Sequence, residues 1–260
     1  MTALATLPIS VTPTKSLAAL YGILGLSAGV GLGVVFLRMG FSLGRNRPAP
    51  TALGWAMPAL MVGLLGLLLL APQFGRTPEG TPTGPIFFST QGPGSQHAPV
   101  FISLAVGLLI GFLAQRSRFC TVGAIRDLLL LRDAHLFNGI VALVGAAFLT
   151  SLALGLFKPG FEGQPIAHTN TLWNFLGMTL SGLACTLAGG GPGRQLFLAG
   201  EGDGDAAMFA LGAIVGAGMA HTFAAVSSPA GPAAYGPALV VFGLVVCAVI
   251  GLTMRDPQRG

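Results

Sequence analysis

Seven apolar stretches, each long enough to cross a hydrocarbon layer as a helix, divide this chain and restrict it to a membrane fold. They run near residues 16–37, 51–71, 99–116, 134–157, 171–189, 206–227 and 234–254. A spanning helix takes about 20 apolar residues. The segment 59–71, ALMVGLLGLLLLA, is apolar all round and shows none of the period-two alternation of an outer-membrane barrel. Backbone groups in lipid must be satisfied within their own segment, which makes helices the default. Composition agrees: 8% of the 260 residues are charged and 53% are hydrophobic, against about 25% charged in a soluble domain. The expected fold is an all-α integral membrane protein, a single transmembrane domain over 1–260 with about seven spanning helices.

The positive charges flank the apolar stretches, so the net charge of +5 is explained by topology before any nucleic-acid partner, and no nucleic-acid module is present. With the segments after spans one, three and five placed on one side together with the C-terminus, that side carries Arg38, Arg45, Arg47, Arg116, Arg118, Arg126, Arg132, Arg194, Arg255 and Arg259. The other side carries Lys15, Arg76 and Lys158. The positive-inside rule then predicts an external N-terminus and a cytoplasmic C-terminus. The Pro-, Gly-, Ser- and Thr-rich segment 72–98 reads as an external loop. Cys120, Cys185 and Cys247 lie in or beside apolar segments without metal-type spacing, so neither a disulfide framework nor a metal site is expected. No Walker-type loop, serine-triad motif or zinc spacing appears, and no cofactor is expected.

A motif recurs three times. Gly33 precedes Ser42 by nine positions, Gly111 precedes Cys120 by nine, and Gly182 precedes Gly191 by nine, with a glycine and an arginine following each. Phe41-Ser42 matches Phe119-Cys120, and the third copy matches through small residues alone. The motifs read as helix ends followed by short new helices. TVGAIRDLLLL at 121–131 is too short to span and suits a half-helix entering from the cytoplasmic side. The run Gly189-Gly190-Gly191-Pro192-Gly193 is poor helix interior, whereas Pro192 suits a first helical turn. A Gly-rich stretch opening a helix presents N–H groups and the positive dipole end, which favours an anion. The plain alternative is a set of cytoplasmic turns with basic anchors.

RSRFCTVGAIRD at 116–127 and LAGGGPGRQLFLAGEGD at 187–203 resemble the YeeE/YedE family of bacterial membrane proteins. The resemblance implies import of thiosulfate or a related sulfur compound, or selenium-related transport. It also implies a helical bundle with repeats and short inward loops. Cysteines on those loops would hydrogen-bond the sulfur of the substrate, and a small cytoplasmic sulfur-carrier protein would be a partner. The family pattern has cysteine where this chain has Gly191, and a cysteine would suit position 42, where the chain has Ser42. Gly191 would offer backbone only and widen the path. The chain also looks shorter than a full-length importer, which leaves pairing with another copy open.

On this reading the candidate substrate-binding residues are Cys120, Ser42, Gly191, Arg118, Arg126, Arg194, Cys185 and His221. Cys120 is either a substrate contact or a small buried residue. Cys185 either faces the same path or packs. Arg118, Arg126 and Arg194 either attract the anion or anchor the cytoplasmic face, and Asp127 stands ready to pair with Arg126. His221 is the titratable side chain placed inside a span, where ionisable groups are functional candidates. No acidic residue falls inside a span, which disfavours a carboxylate proton relay. Glycines at 25, 29 and 33 and at 107 and 111 suit close helix approach. The expected activity is transport of a thiosulfate-like anion across the bacterial cytoplasmic membrane, not an enzymatic one. A sulfur-relay subunit using Cys120, or a non-transporting subunit, is the alternative.

Overall fold

The computed structural model describes residues 13–42, 50–70, 77, 83, 99–157, 170–228 and 231–255. Among them are the helices α1 (Pro13–Arg38), α2 (Thr51–Leu70), α3 (Val100–Ser117), α4 (Thr121–Leu130), α5 (His135–Ala153), α6 (Thr171–Leu187), α7 (Pro192–Gly200), α8 (Gly204–Thr222) and α9 (Gly236–Thr253). No strand occurs among the described residues. Seven helices or helix pairs are long and apolar enough to cross a membrane, with α4 continuing the stretch begun by α3 and α7 that begun by α6. The chain is therefore an all-α, multi-pass membrane protein. The expected loop 72–98 lies outside the described residues apart from Thr77 and Thr83, as do Arg45, Arg47, Arg76, Lys158 and Arg259.

The chain forms two compact units, one of 1–47, 120–193 and 211–260, the other of 48–119 and 194–210. In the first unit, α1 lies against α6 along a stripe of glycines. A Cβ on Gly25 would run into the carbonyl oxygen of Phe175, and one on Gly29 into that of Thr179. One on Gly33 would stand 2.5 Å from Cγ2 of Thr186. From the other side, a Cβ on Gly182 would meet the carbonyl oxygen of Leu26. Lipid tails are as apolar as the helices, so association depends on this kind of close backbone contact. Thr179 and Thr186 are buried on the contact face. Each hydroxyl donates to the carbonyl four residues earlier, at 2.8 Å to Phe175 and 2.7 Å to Gly182, so no polar atom is stranded. The glycines at 107 and 111 behave differently: a Cβ on either meets nothing within 4 Å. The spacing alone does not tell a packed stripe from an open one.

The register of these contacts fixes direction. Positions 25, 29 and 33 of α1 face 175, 179 and 186 of α6, so the two helices run parallel. In α9, Gly251 meets Phe36 of α1, and Ser42 N–H donates to the Met254 carbonyl at 3.2 Å. The ends of α1 and α9 therefore coincide. Phe41, Leu183 and Leu187 bury together there, against Leu244, Cys247 and Ile250. Spans one, five and seven share one direction, as alternating crossings require.

Each copy of the repeat is closed by the same backbone turn, one that also ends α5, α7 and α8. In the first copy Gly40 N–H bonds the Leu37 carbonyl and Phe41 N–H that of Phe36. In the second, Arg118 bonds Gln115 and Phe119 bonds Ala114. In the third, Gly189 bonds Thr186 and Gly190 bonds Cys185. This is the paired-bond helix ending that requires a left-handed residue, and φ is +88° at Gly40, +52° at Arg118 and +84° at Gly189. Each left-handed residue stands two positions before 42, 120 or 191. New helices start at once after the second and third turns, as α4 and α7. Position 42 is followed by 43–49, outside the described residues, and then by the full-length α2.

Gly29→Leu is expected to force α1 from α6 and to destabilise the protein by about 1–3 kcal/mol or more, the usual cost of overpacking. Gly107→Leu is expected to be nearly silent. Thermal melts of both variants in detergent check the contrast.

Candidate functional site

The site is built where α4 begins. Cys120 is the residue before that helix, extended at φ −154° and ψ 116°, and its sulfur accepts the N–H of Gly123 at 3.2 Å. The same sulfur accepts the N–H of Gly191 at 3.3 Å. Gly191 immediately precedes Pro192, the first residue of α7. One sulfur thus ties together the starts of two short helices, 71 positions apart in sequence. Cys120 is 5% exposed and packs with Val30, Val122 and Cys185.

Depth follows from helix geometry. Val30 lies about 12 Å, or roughly eight residues, before the end of α1. The other end of α4 meets that end of α1, where Arg38 Nη2 donates to the Leu129 carbonyl at 3.1 Å. The half-helix therefore runs from the level of Val30 to the level of Arg38, with its N-terminus innermost. Gly33 stands opposite Thr186, so α6, which ends at Leu187, stops about four residues, or about 6 Å, short of the end of α1. The turn at 189–191 follows directly on that end.

Arg126 does not present a free charge. Its Nε donates to Asp127 Oδ1 at 2.8 Å, Nη2 lies 2.8 Å from the same oxygen, and Nη1 reaches the Gly189 carbonyl at 3.4 Å. Its role in the structure is a strut between α4 and the third turn, and the anticipated pairing with Asp127 is present. Cys185 is buried beside Cys120. Gly191 is buried, yet it leaves no gap: a Cβ there would stand 3.3 Å from Cγ2 of Val122 and 3.8 Å from the Cys120 sulfur. The expectation of a widened path is corrected, because Val122 already occupies that space.

Ser42 and His221 lie elsewhere in the first unit. Ser42 is exposed beside the end of α9 and outside the buried cluster around Cys120. His221 is exposed in the last turn of α8, at the end of the span and not well inside it as expected, because the helix stops at Thr222. Ala224 then turns left-handed at φ +49°, and residues 225–228 do not resume a helix. In the second unit, Arg194 Nη1 donates to the Arg118 carbonyl at 3.4 Å. Asp203, in the acidic turn after α7, caps α8 by accepting the Ala206 N–H at 2.8 Å. Arg38 was missed as a site residue. Counting basic residues places it at a membrane face, but only the fold shows that it caps the C-terminal carbonyls of α4, a favourable place for a cation. Among the described residues no group of three His, Cys, Asp or Glu is placed to hold a metal.

Cys120→Ala removes the acceptor of two N–H groups in a buried place, each worth about 1–3 kcal/mol when left unpaired. Cys120→Ser keeps an acceptor there. The alanine variant is expected to melt below the serine variant in detergent.

No protein-family model matches the chain, and no solved structure matches it. Over 103 residues it is 34% identical to the thiosulfate transporter TsuA of Spirochaeta thermophila (strain ATCC 700085 / DSM 6578 / Z-1203), a stretch of 40% of this chain and 31% of that protein. It is 28% identical over 103 residues to the thiosulfate transporter TsuA of Escherichia coli (strain K12), 40% of this chain and 29% of that one. The matched stretch spans less than a third of the length of these relatives. Over it, the chain is similar to thiosulfate transporters of the YeeE/YedE family, the family that the motifs at 116–127 and 187–203 resemble.

Proposed function

We propose that this protein carries a small sulfur-containing anion of the thiosulfate type across the bacterial cytoplasmic membrane, past the Cys120 sulfur. The observation that carries this reading is the convergence of two half-helix starts on that sulfur, through the N–H groups of Gly123 and Gly191. Helix starts favour negative charge by their dipole and their N–H groups. The sulfur accepts two bonds from the backbone, and its own S–H is a weak donor suited to the soft terminal sulfur of thiosulfate. A site that binds weakly and lies set back from one face suits passage rather than retention. The names of the two relatives support the choice of anion.

The glycine stripe, the Arg126 strut and the Arg38 cap serve this path by holding α4 and the turn at 189–191 in place. The substrate leaves toward the cytoplasm, where a small sulfur-carrier protein receives it. Orientation follows the positive-inside rule.

Uptake of radiolabelled thiosulfate into proteoliposomes tests the reading. Wild-type vesicles are expected to accumulate label above empty ones, Cys120→Ala to lose at least tenfold of the rate, and Cys247→Ala to keep it. Vesicles that take up no more label than empty ones overturn it. For orientation, a fluorescent-protein fusion at the C-terminus is expected to glow and an alkaline phosphatase fusion there to stay inactive. The reverse pattern places that end outside.

A further inference from the structure

Three structurally equivalent positions close the three repeated turns, and only one of them departs from glycine. Gly40, Arg118 and Gly189 make the same pair of backbone bonds and share the left-handed conformation. Glycine adopts it freely, whereas a residue with a Cβ is strained there. At Arg118 φ is 52° and ψ 35°. Arg132 and Ala224 are also left-handed non-glycines, and Ala224 closes the same pair of bonds at the end of α8, but neither lies in the repeat, where the two equivalent positions are glycine.

Among the described residues nothing in the packing repays that strain. The Arg118 side chain is exposed, and among the described residues its guanidinium makes no hydrogen bond or ion pair. Only its backbone is engaged, with its carbonyl accepting from Arg194. Three other arginines of the motifs are occupied: Arg126 by Asp127 and Gly189, Arg38 by Leu129, Arg194 by the Arg118 carbonyl. A basic anchor at the membrane face does not need this position, since Arg116 stands two residues earlier in the last turn of α3.

We propose that Arg118 is retained against its backbone cost as the group that gathers the anion, its guanidinium unpartnered among the described residues and two positions before Cys120 in sequence. This rests on the transport reading for the identity of the anion. A guanidinium presents a planar fork of donors that fits the oxygens of a sulfur oxyanion in pairs, which an ammonium does not. Arginine in a position that prefers glycine is the pattern expected where binding, not folding, selects the residue.

The discriminating variant is Arg118→Gly, because strain relief and loss of binding then point in opposite directions. Its melting temperature in detergent is expected at or above that of the wild type. Its KM for thiosulfate uptake is expected to rise at least tenfold with little change in maximal rate, and its uptake to lose most of its dependence on ionic strength. Arg118→Lys should fall between the two in KM. A glycine variant with wild-type KM and salt dependence overturns the proposal. Direct binding of radiolabelled thiosulfate to the purified full chain, read by scintillation proximity, separates the two readings. If wild-type protein binds thiosulfate at least fivefold more tightly than Arg118→Gly yet vesicles accumulate nothing, the Arg118 assignment stands and the transport reading falls. Equal binding by the two proteins, or no binding by either, overturns the Arg118 assignment.

Discussion

The contact between α1 and α6 governs the geometry of the site. It exists because four glycines remove the side chains that would hold the two backbones apart. Once Gly25, Gly29, Gly33 and Gly182 set the register, the place where α6 stops relative to α1 is settled. The turn at 189–191 must then lie back from the end of α1. The start of α4 is drawn to the same level by Val30 and Cys185, and its far end is fixed by Arg38. The meeting of Gly123 and Gly191 at the Cys120 sulfur follows from these distances. The affinity of two N–H groups for a thiol does not bring it about, since each such bond is individually weak.

The repeat separates scaffold from chemistry. The same hydrogen-bonded turn closes α1, α3 and α6, as it does α5, α7 and α8, so the backbone task is solved once and reused. The residue two positions later is free to differ. It is Ser42 at an exposed place, Cys120 in a buried one, and Gly191 in a buried one where Val122 fills the missing volume. Three copies of one motif therefore do three different things. The serine bonds the end of α9 through its backbone, the cysteine joins two helices through its sulfur, and the glycine supplies an N–H.

Much of this was legible in the sequence because the signals are local. Apolar length marked each span to within a few residues, Pro192 marked the start of α7, and the shortness of 121–131 marked α4 as a half-helix. The ion pair of Arg126 and Asp127 was legible because the two are neighbours in the chain. What escaped depends on distant partners. The spacing of 107 and 111 resembles that of 25, 29 and 33, but among the described residues a partner helix lines only the latter. Arg38 reads as one more basic anchor until α4 is folded against it, 91 positions away in sequence. His221 was placed too deep because apolar character continues past Thr222 while the helix does not. The third copy of the repeat looked weakest by residue identity, yet its turn is the same as the others, because hydrogen bonding needs only a left-handed residue at 189.

The glycine stripe also has a consequence for biosynthesis. The face of α1 that α6 will cover lies about 150 residues ahead of its partner, and at 5–20 residues per second the ribosome takes on the order of ten to thirty seconds to supply it. During that interval the first span sits in the membrane with a furrow of bare backbone open to any helix that passes. Smoothness that makes the finished contact tight also makes the unfinished one indiscriminate. Prompt arrival of the fifth span, or shielding of the furrow by the insertion machinery, is therefore part of what this sequence demands of the cell that makes it.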